Sequence, residues 1–373
     1  MSEKVIVKTQ TRRVATPEDP LGLECGQRLS HVEVAFEAYG RLNSAGDNAV
    51  YICHALTGSA HAAFFNSVEQ QRPGWWDGLI GKGKALDPAR YFIVCANLLG
   101  SCYGTTGPTS PNPATGEAYG MDFPPVTTRD MVNVQKRLLD GLGVRQLALV
   151  IGGSLGGMLT WQWAVDYPDF VRAVIPIAGT VQGSPWMVAL NEVARQAIYN
   201  DPQWKAGGTT GAAPASGLAL ARMIGMISYR SPRQFALRFG RTRVDPNPQR
   251  DLDFDNRFQV ESYLHHQGQK LVRRFDARSY IYLTKAMDLH DVARGYHSLE
   301  QAMRRIRSAV LVMGIDSDVL YLPAELRQTA RLLRKLGKKV SYREIKSVYG
   351  HDAFLVEYEQ LNRQVSEFLR GQD

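Results

Sequence analysis

Ser154 sits at the centre of Gly152-Gly153-Ser154-Leu155-Gly156, a G-x-S-x-G pattern. An apolar run at 148–151 leads into it, and a helix-forming run at 158–164 leads out. The spacing predicts a strand, a sharp turn carrying the serine, and a helix, the arrangement of a nucleophile elbow. The reason is steric: so tight a turn brings strand and helix together only if the serine's neighbours lack Cβ atoms. The turn also sets the hydroxyl at a helix N-terminus, where backbone N–H groups stabilise negative charge. An ordinary glycine-rich turn or a phosphate loop would share the glycines, but the flanking strand and helix favour the elbow.

A serine hydroxyl is a weak nucleophile at neutral pH. It needs a neutral imidazole to take its proton and a carboxylate to fix that imidazole's tautomer. After an elbow these partners follow in the order acid, then histidine. Residues 308–314 read as a buried strand, and Asp316 and Asp318 lie just past its end. Open α/β sheets build their sites at such strand ends. The two aspartates compete for the acid role, and the pattern alone does not separate them. Residues 340–345 read as a late strand, and His351 lies on the loop after it, ahead of a C-terminal helix. An oxyanion hole needs two N–H donors, each commonly contributing about 3 kcal/mol. One should be the N–H of Leu155, next after the serine. The loop after an early strand at 48–53 offers the other, with Leu56 as the candidate. His54 precedes the serine, the wrong order for a base here, and is assigned to shaping that loop.

Up to about residue 180 the chain alternates strand and helix signals, as in a doubly wound α/β sheet. The segment 181–297 changes character. It has helical runs such as 188–197 and a Gly/Ala/Thr/Pro stretch at 206–214 that reads as loop. Strand signals return at Ser308. The expectation is a sheet core of residues 1–180 and 298–373, with residues 181–297 inserted as a helical lid.

Composition agrees. The 373 residues are 44% hydrophobic and 21% charged, as in a globular protein able to bury a large core. No apolar run is long enough to span a bilayer, and the first residues lack a signal peptide's apolar core. Cys25, Cys53, Cys95 and Cys102 have no metal or redox spacing. Cytoplasmic residence, no metal and no bound cofactor are expected. Cys102, in a glycine-rich loop, reads as a packing residue near the site mouth. The net charge of +8 invites a nucleic-acid reading. However, the basic residues at 304–307 and 331–339 read as solvated helix faces, with no aromatic reading motif beside them. A positive surface would equally suit the anionic phosphates of an acyl-coenzyme A.

Over nearly its whole length the chain resembles the homoserine O-acetyltransferase family, acyltransferases of the α/β-hydrolase fold. The resemblance is carried by 54–58 (His-Ala-Leu-Thr-Gly), 97–108, the Ser154 elbow, 221–225, 228–231, 273–277, 283–288, Ser317-Asp318 and 350–355. It implies Asp318 rather than Asp316 as the acid. It implies substrate contacts from Arg222, Tyr229 and Asp352, which suits a zwitterionic acceptor needing a cation for its carboxylate and an anion for its ammonium. Arg222 and Tyr229 are seven positions apart, on one face of a helix. Acetyl-CoA as donor, L-homoserine as acceptor, a role in methionine biosynthesis and a homodimer formed through the lid are implied too. Two positions depart from the family pattern. Met226 stands where many relatives carry His. At 320–323 the chain reads Leu-Tyr-Leu-Pro, where the family often places proline directly after the aromatic, an apolar change expected to leave the chemistry alone. A succinyl donor, a serine acceptor, a serine esterase and a catalytically silent interaction protein are the alternatives. The variant at 103–106, Tyr-Gly-Thr-Thr, resembles acetyl-using relatives.

Overall fold

The computed structural model describes residues 4–205 and 214–372. The glycine-rich stretch at 206–214 therefore lies outside the described residues except for Pro214. An eight-stranded sheet forms the centre, in the order β1-β4-β6-β5-β7-β8-β9-β10. The strands are β1 (Gln10–Ala15), β4 (Val32–Tyr39), β5 (Ala49–Cys53), β6 (Phe92–Ala96), β7 (Leu147–Gly153), β8 (Ala173–Ile177), β9 (Ala309–Ile315) and β10 (Val340–Ile345). The short β2 (Leu21–Gly22) and β3 (Arg28–Leu29) pair separately. β1 and β4 run antiparallel to their neighbours, and every pairing from β6 to β10 is parallel. Every residue of β5, β8 and β9 is buried. That is the signature of parallel strands covered by helices on both faces, and it explains why these segments read as unbroken apolar runs rather than alternating ones.

Helices α1 (Thr128–Gly141) and α2 (Leu155–Asp166) cover one face with α10 (Pro323–Lys335), while α11 (Tyr358–Arg370) packs into the apolar cluster on the other. α1 opens with a capping box, Thr127 accepting from the Asp130 N–H and Asp130 accepting from the Thr127 N–H. α2 is buried from Leu155 to Val165. It descends from the elbow through the middle of the molecule, so the serine turn is anchored on all sides.

Between β8 and β9 the chain leaves the sheet for α3 (Pro185–Tyr199), α4 (Pro202–Lys205), α5 (Ala215–Tyr229), α6 (Pro232–Phe239), α7 (Gln259–Val272) and α8 (Ala277–Asp288). α9 (Leu299–Arg304) leads back to the sheet. α5 packs between α3 and α7, and its C-terminal end meets the 3₁₀ turn Gly350–Leu355. The helical insertion thus reaches the last loop of the sheet. Among the described residues no helix is long and apolar enough to cross a membrane. Cys53 and Cys95 are buried, Cys102 is partly buried, Cys25 is exposed, and all four are free thiols.

Candidate active site

Ser154 is the residue between β7 and α2, at φ 61° and ψ −124°, one of three non-glycine residues with positive φ among those described. That conformation costs free energy for an L-residue, and packing enforces it. A Cβ on Gly156 would lie 2.0 Å from the Cys53 carbonyl oxygen, so only glycine lets α2 approach β5 here. The Ser154 N–H is tied to the Ile177 carbonyl at 3.0 Å. The side chain projects at the mouth of the sheet and is 6% exposed.

His351 and Asp318 arrive from the ends of the last two parallel strands. His351 Nδ1 is 2.7 Å from Asp318 Oδ2, with the two side chains 3% and 0% exposed. Asp318 Oδ1 accepts the N–H groups of Leu320 at 2.8 Å and Tyr321 at 3.0 Å. The carboxylate is therefore fixed, and it obliges the ring to carry its proton on Nδ1. His351 Nε2 is buried and has no partner. Asp316, by contrast, accepts the Ser347 N–H at 2.9 Å and lies near Lys346. It is the Asp318 carboxylate, fully buried, that turns inward. Ser317 Oγ donates to the Ser347 carbonyl at 2.5 Å and accepts the Gly350 N–H at 3.1 Å, locking the two loops together. Gly350 has φ +71°, and a Cβ there would lie 2.5 Å from the Ser231 N. The residue ahead of His351 must be glycine for both reasons.

Burial is the largest influence on the His351 ring and disfavours its charged form. The charge of Asp318 and its hydrogen bond, with Asp352 adding, overcome this, and the pKa is raised above its ordinary 6.5. His54 shows the opposite balance: burial takes it down to about 4, and its Nδ1 lies 2.9 Å from the Ala55 carbonyl. It is a neutral ring folded into its own loop.

Ser154, His351, Arg222, Tyr229 and Asp352 all line one cleft of about 400 Å³, together with Leu56 and Thr57. The Leu56 N–H has no acceptor among the described residues. The Leu155 N–H opens α2, where the first-turn N–H groups have no partner within the helix. Arg274, unremarked in the sequence beyond its motif, pins the Leu56 loop by donating to the Thr57 carbonyl and to Tyr103 Oη, each at 2.7 Å. Arg222 and Tyr229 do share one face of α5, the guanidinium 5.5 Å from the ring centroid. The Tyr229 ring lies 6.0 Å from that of His351. Asp352 Oδ2 is held by Arg230 Nη2 at 3.1 Å. Sequence reasoning missed Arg230, since the pair joins the end of α5 to the last loop of the sheet. Met226 is buried. It lies outside the cleft lining.

A second histidine–carboxylate pair, also missed, faces the same cleft. His61 lines it, with Nδ1 3.0 Å from Glu37 Oε2. Glu37 also accepts from Tyr39, Thr9 and Asn66 at 2.8, 3.0 and 2.9 Å. Burial opposes its charge, but the hydrogen bonds from His61, Asn66 and Tyr39 win and hold its carboxyl below the usual 4.5. No group of three or more His, Cys, Asp or Glu among the described residues could hold a metal ion.

A serine on a strained elbow, a buried His–Asp pair at the ends of later strands and free N–H groups at a helix start define an enzyme of the α/β-hydrolase type. A family model described as alpha/beta hydrolase fold matches residues 48–358. The chain is 52% identical to a homoserine O-acetyltransferase of Symbiobacterium thermophilum, over 98% of this chain and 96% of that one. It is 51% identical to one of Moorella thermoacetica, over 94% and 93%. Its fold is similar to the crystal structure of homoserine O-acetyltransferase from Bacillus anthracis, with a TM-score of 0.91, 32% identity and 98% of each chain covered. Esterase E22 is also similar, with a TM-score of 0.88, 30% identity and 98% and 100% covered. The chain belongs to the homoserine O-acetyltransferase family within the α/β-hydrolase fold.

Proposed function

We propose that the protein transfers an acetyl group from acetyl-CoA to the hydroxyl of L-homoserine, a step of methionine biosynthesis, by a ping-pong route through an acetyl-Ser154 intermediate. His351 is the base and Asp318 its orienter. The Leu56 and Leu155 N–H groups hold the oxyanion. The observation that carries the reading is the unpartnered His351 Nε2, buried in one cleft with Ser154 and with the cation–carboxylate set of Arg222 and Asp352. Ser154 Oγ bonds to the thioester carbonyl carbon as its proton passes to His351. The C–S bond breaks and the thiol leaves with that proton. The homoserine hydroxyl then gives its proton to His351 and takes the acetyl group, and Ser154 regains its hydrogen.

A free amino acid needs a cation for its carboxylate and an anion for its ammonium, and Arg222 and Asp352 supply them. The Tyr229 hydroxyl remains protonated, because burial raises its pKa more than Arg222 lowers it. An acetyl rather than a succinyl group suits the void of about 20 Å³ beside Ser154, lined by Leu56, Met187 and Leu320 among others. That is space for about one water-sized group, such as a methyl. Helices from residues 181–297 act as a lid that keeps water from the acyl-enzyme. The enzyme works in the cytoplasm as a homodimer through that lid, with no bound cofactor.

The similarity to esterase E22 makes hydrolysis the second reading. The test pairs acetyl- and succinyl-CoA with homoserine and serine and follows where the acyl group goes. O-acetylhomoserine as the main product supports transfer to homoserine. Free acetate formed at the same rate with and without homoserine contradicts it.

A further inference from the structure

Arg230 and Asp352 form an ion pair, Nη2 to Oδ2 at 3.1 Å, with side chains 16% and 15% exposed. Asp352 lines the cleft with Ser154, His351 and Arg222, and Arg230 stands outside that lining. The backbone holds the two partners together. Ser231 Oγ donates to the Val348 carbonyl, and a Cβ on Gly350 would lie 2.8 Å from the Arg230 carbonyl carbon. The end of α5 is thus pressed onto the turn that carries His351 and Asp352. Among the described residues, no hydrogen bond reaches either carboxylate oxygen of Asp352, and Arg230 is its one ion-pair partner. A carboxylate can accept about four hydrogen bonds, so this mostly buried anion keeps its acceptor capacity for a ligand. Arg222 makes no ion pair among the described residues; its guanidinium rests over the Tyr229 ring.

A cleft that offers a cation and an anion to a zwitterion has an internal hazard. The two groups attract each other, and a pair formed between them would leave neither for the ligand. We infer that Arg230 is a positioning residue for the acceptor: it holds Asp352 back from Arg222, so that both charges stay open to a free amino acid. The inference rests on homoserine as acceptor and on Arg222 and Asp352 as its contacts. The acceptor's ammonium then joins Arg230 on the same carboxylate. The two cations repel, but each lies closer to the carboxylate than to the other, and attraction wins. Arg230 also spares Asp352 the cost of being an unpaired, largely buried charge before the acceptor arrives.

Arg230→Met keeps the length of the side chain and deletes the charge. The KM for homoserine should rise about tenfold, as for loss of one contact to a charged group, with kcat within about threefold of wild type. Acetyl-enzyme formation from acetyl-CoA, measured by rapid quench, should keep its wild-type rate, because that half-reaction involves no acceptor. Arg230→Lys should bring the KM back to within about threefold. In an Asp352→Asn background, Arg230→Met should add nothing further to the KM, since coupled residues are not additive. A wild-type KM in Arg230→Met, an equal slowing of acetyl-enzyme formation and of transfer, or the same KM increase in both backgrounds would overturn the inference. Asp352→Asn alone separates the two levels. If it leaves the homoserine KM unchanged, the assignment of Asp352 to the ammonium fails. If it raises the KM while Arg230→Met does not, the role of Arg230 alone fails. No transfer to homoserine by the unaltered protein would end the acceptor reading and the inference with it.

Discussion

His351 and His61 border the same cleft, and each sends Nδ1 to a buried carboxylate, Asp318 at 2.7 Å and Glu37 at 3.0 Å. Their far nitrogens differ. His351 Nε2 has no partner. His61 Nε2 accepts from Gln70 Nε2 at 2.9 Å, and Gln70 is oriented by accepting the Asn66 N–H on its oxygen at 2.5 Å. The carboxylates differ as well. Asp318 takes two N–H groups from its own loop. Glu37 gathers hydrogen bonds from Thr9, Tyr39, His61 and Asn66, so it ties together the N-terminal segment, β4 and the loop after the Leu56 turn. A histidine–carboxylate pair alone does not define a base. What distinguishes His351 is a free second nitrogen in one cleft with Ser154, the proposed nucleophile, while His61 spends both nitrogens on holding the cleft wall.

The sharpest test of that contrast removes the free nitrogen. His351→Ala should lower kcat on the order of 10⁶-fold, as loss of a base does elsewhere, with the fold retained by circular dichroism. Asp318→Asn should come next, at about 10⁴-fold, because an amide no longer enforces the Nδ1–H tautomer. Glu37→Gln should behave differently. It sets amide hydrogens against donors, costing about 1–3 kcal/mol of stability in denaturant titrations with kcat per folded molecule retained. Equal losses of kcat in Asp318→Asn and Glu37→Gln would erase the distinction.

A subtler difference lies in pH. The His351 pKa is raised in the folded protein. Its contribution to stability is complete below about pH 6.5, the ordinary histidine value, and is lost as pH rises through the higher folded value. A base must be neutral, so kcat/KM should fall as pH drops through that folded value, with a midpoint above 6.5. Asp318→Asn should move the midpoint down. Glu37 has a lowered pKa. Its contribution is present above about pH 4.5 and is lost as pH falls through its folded value, so Glu37→Gln should flatten the acid limb of the stability curve and leave the kcat/KM midpoint in place. The smallest effect belongs to Gln70→Ala, which frees His61 Nε2. It should leave kcat within about twofold, as expected for a change away from the chemistry.

The sequence made the elbow legible because its cause is local: glycines at fixed offsets from one serine, with Gly156 pressed on Cys53. The parallel core strands were legible as unbroken apolar runs, and the pairing of Arg222 with Tyr229 on one helix face followed from helical period. Asp316 and Asp318 could not be told apart by pattern, since both follow β9. Their difference lies in which N–H groups each carboxylate meets, Ser347 for one and Leu320 with Tyr321 for the other. Arg230–Asp352 and Glu37–His61 were out of reach for a similar reason. The first joins α5 to a turn more than a hundred residues later, and the second depends on a glutamate turned inward from β4 toward a loop.

The most direct test of the account is mass spectrometry of the protein mixed with acetyl-CoA in the absence of homoserine. An acetyl group on the peptide containing Ser154, gone when homoserine is added and never formed in Ser154→Ala, is the predicted result. An acetyl group carried by another residue, or one that persists in Ser154→Ala, would contradict it.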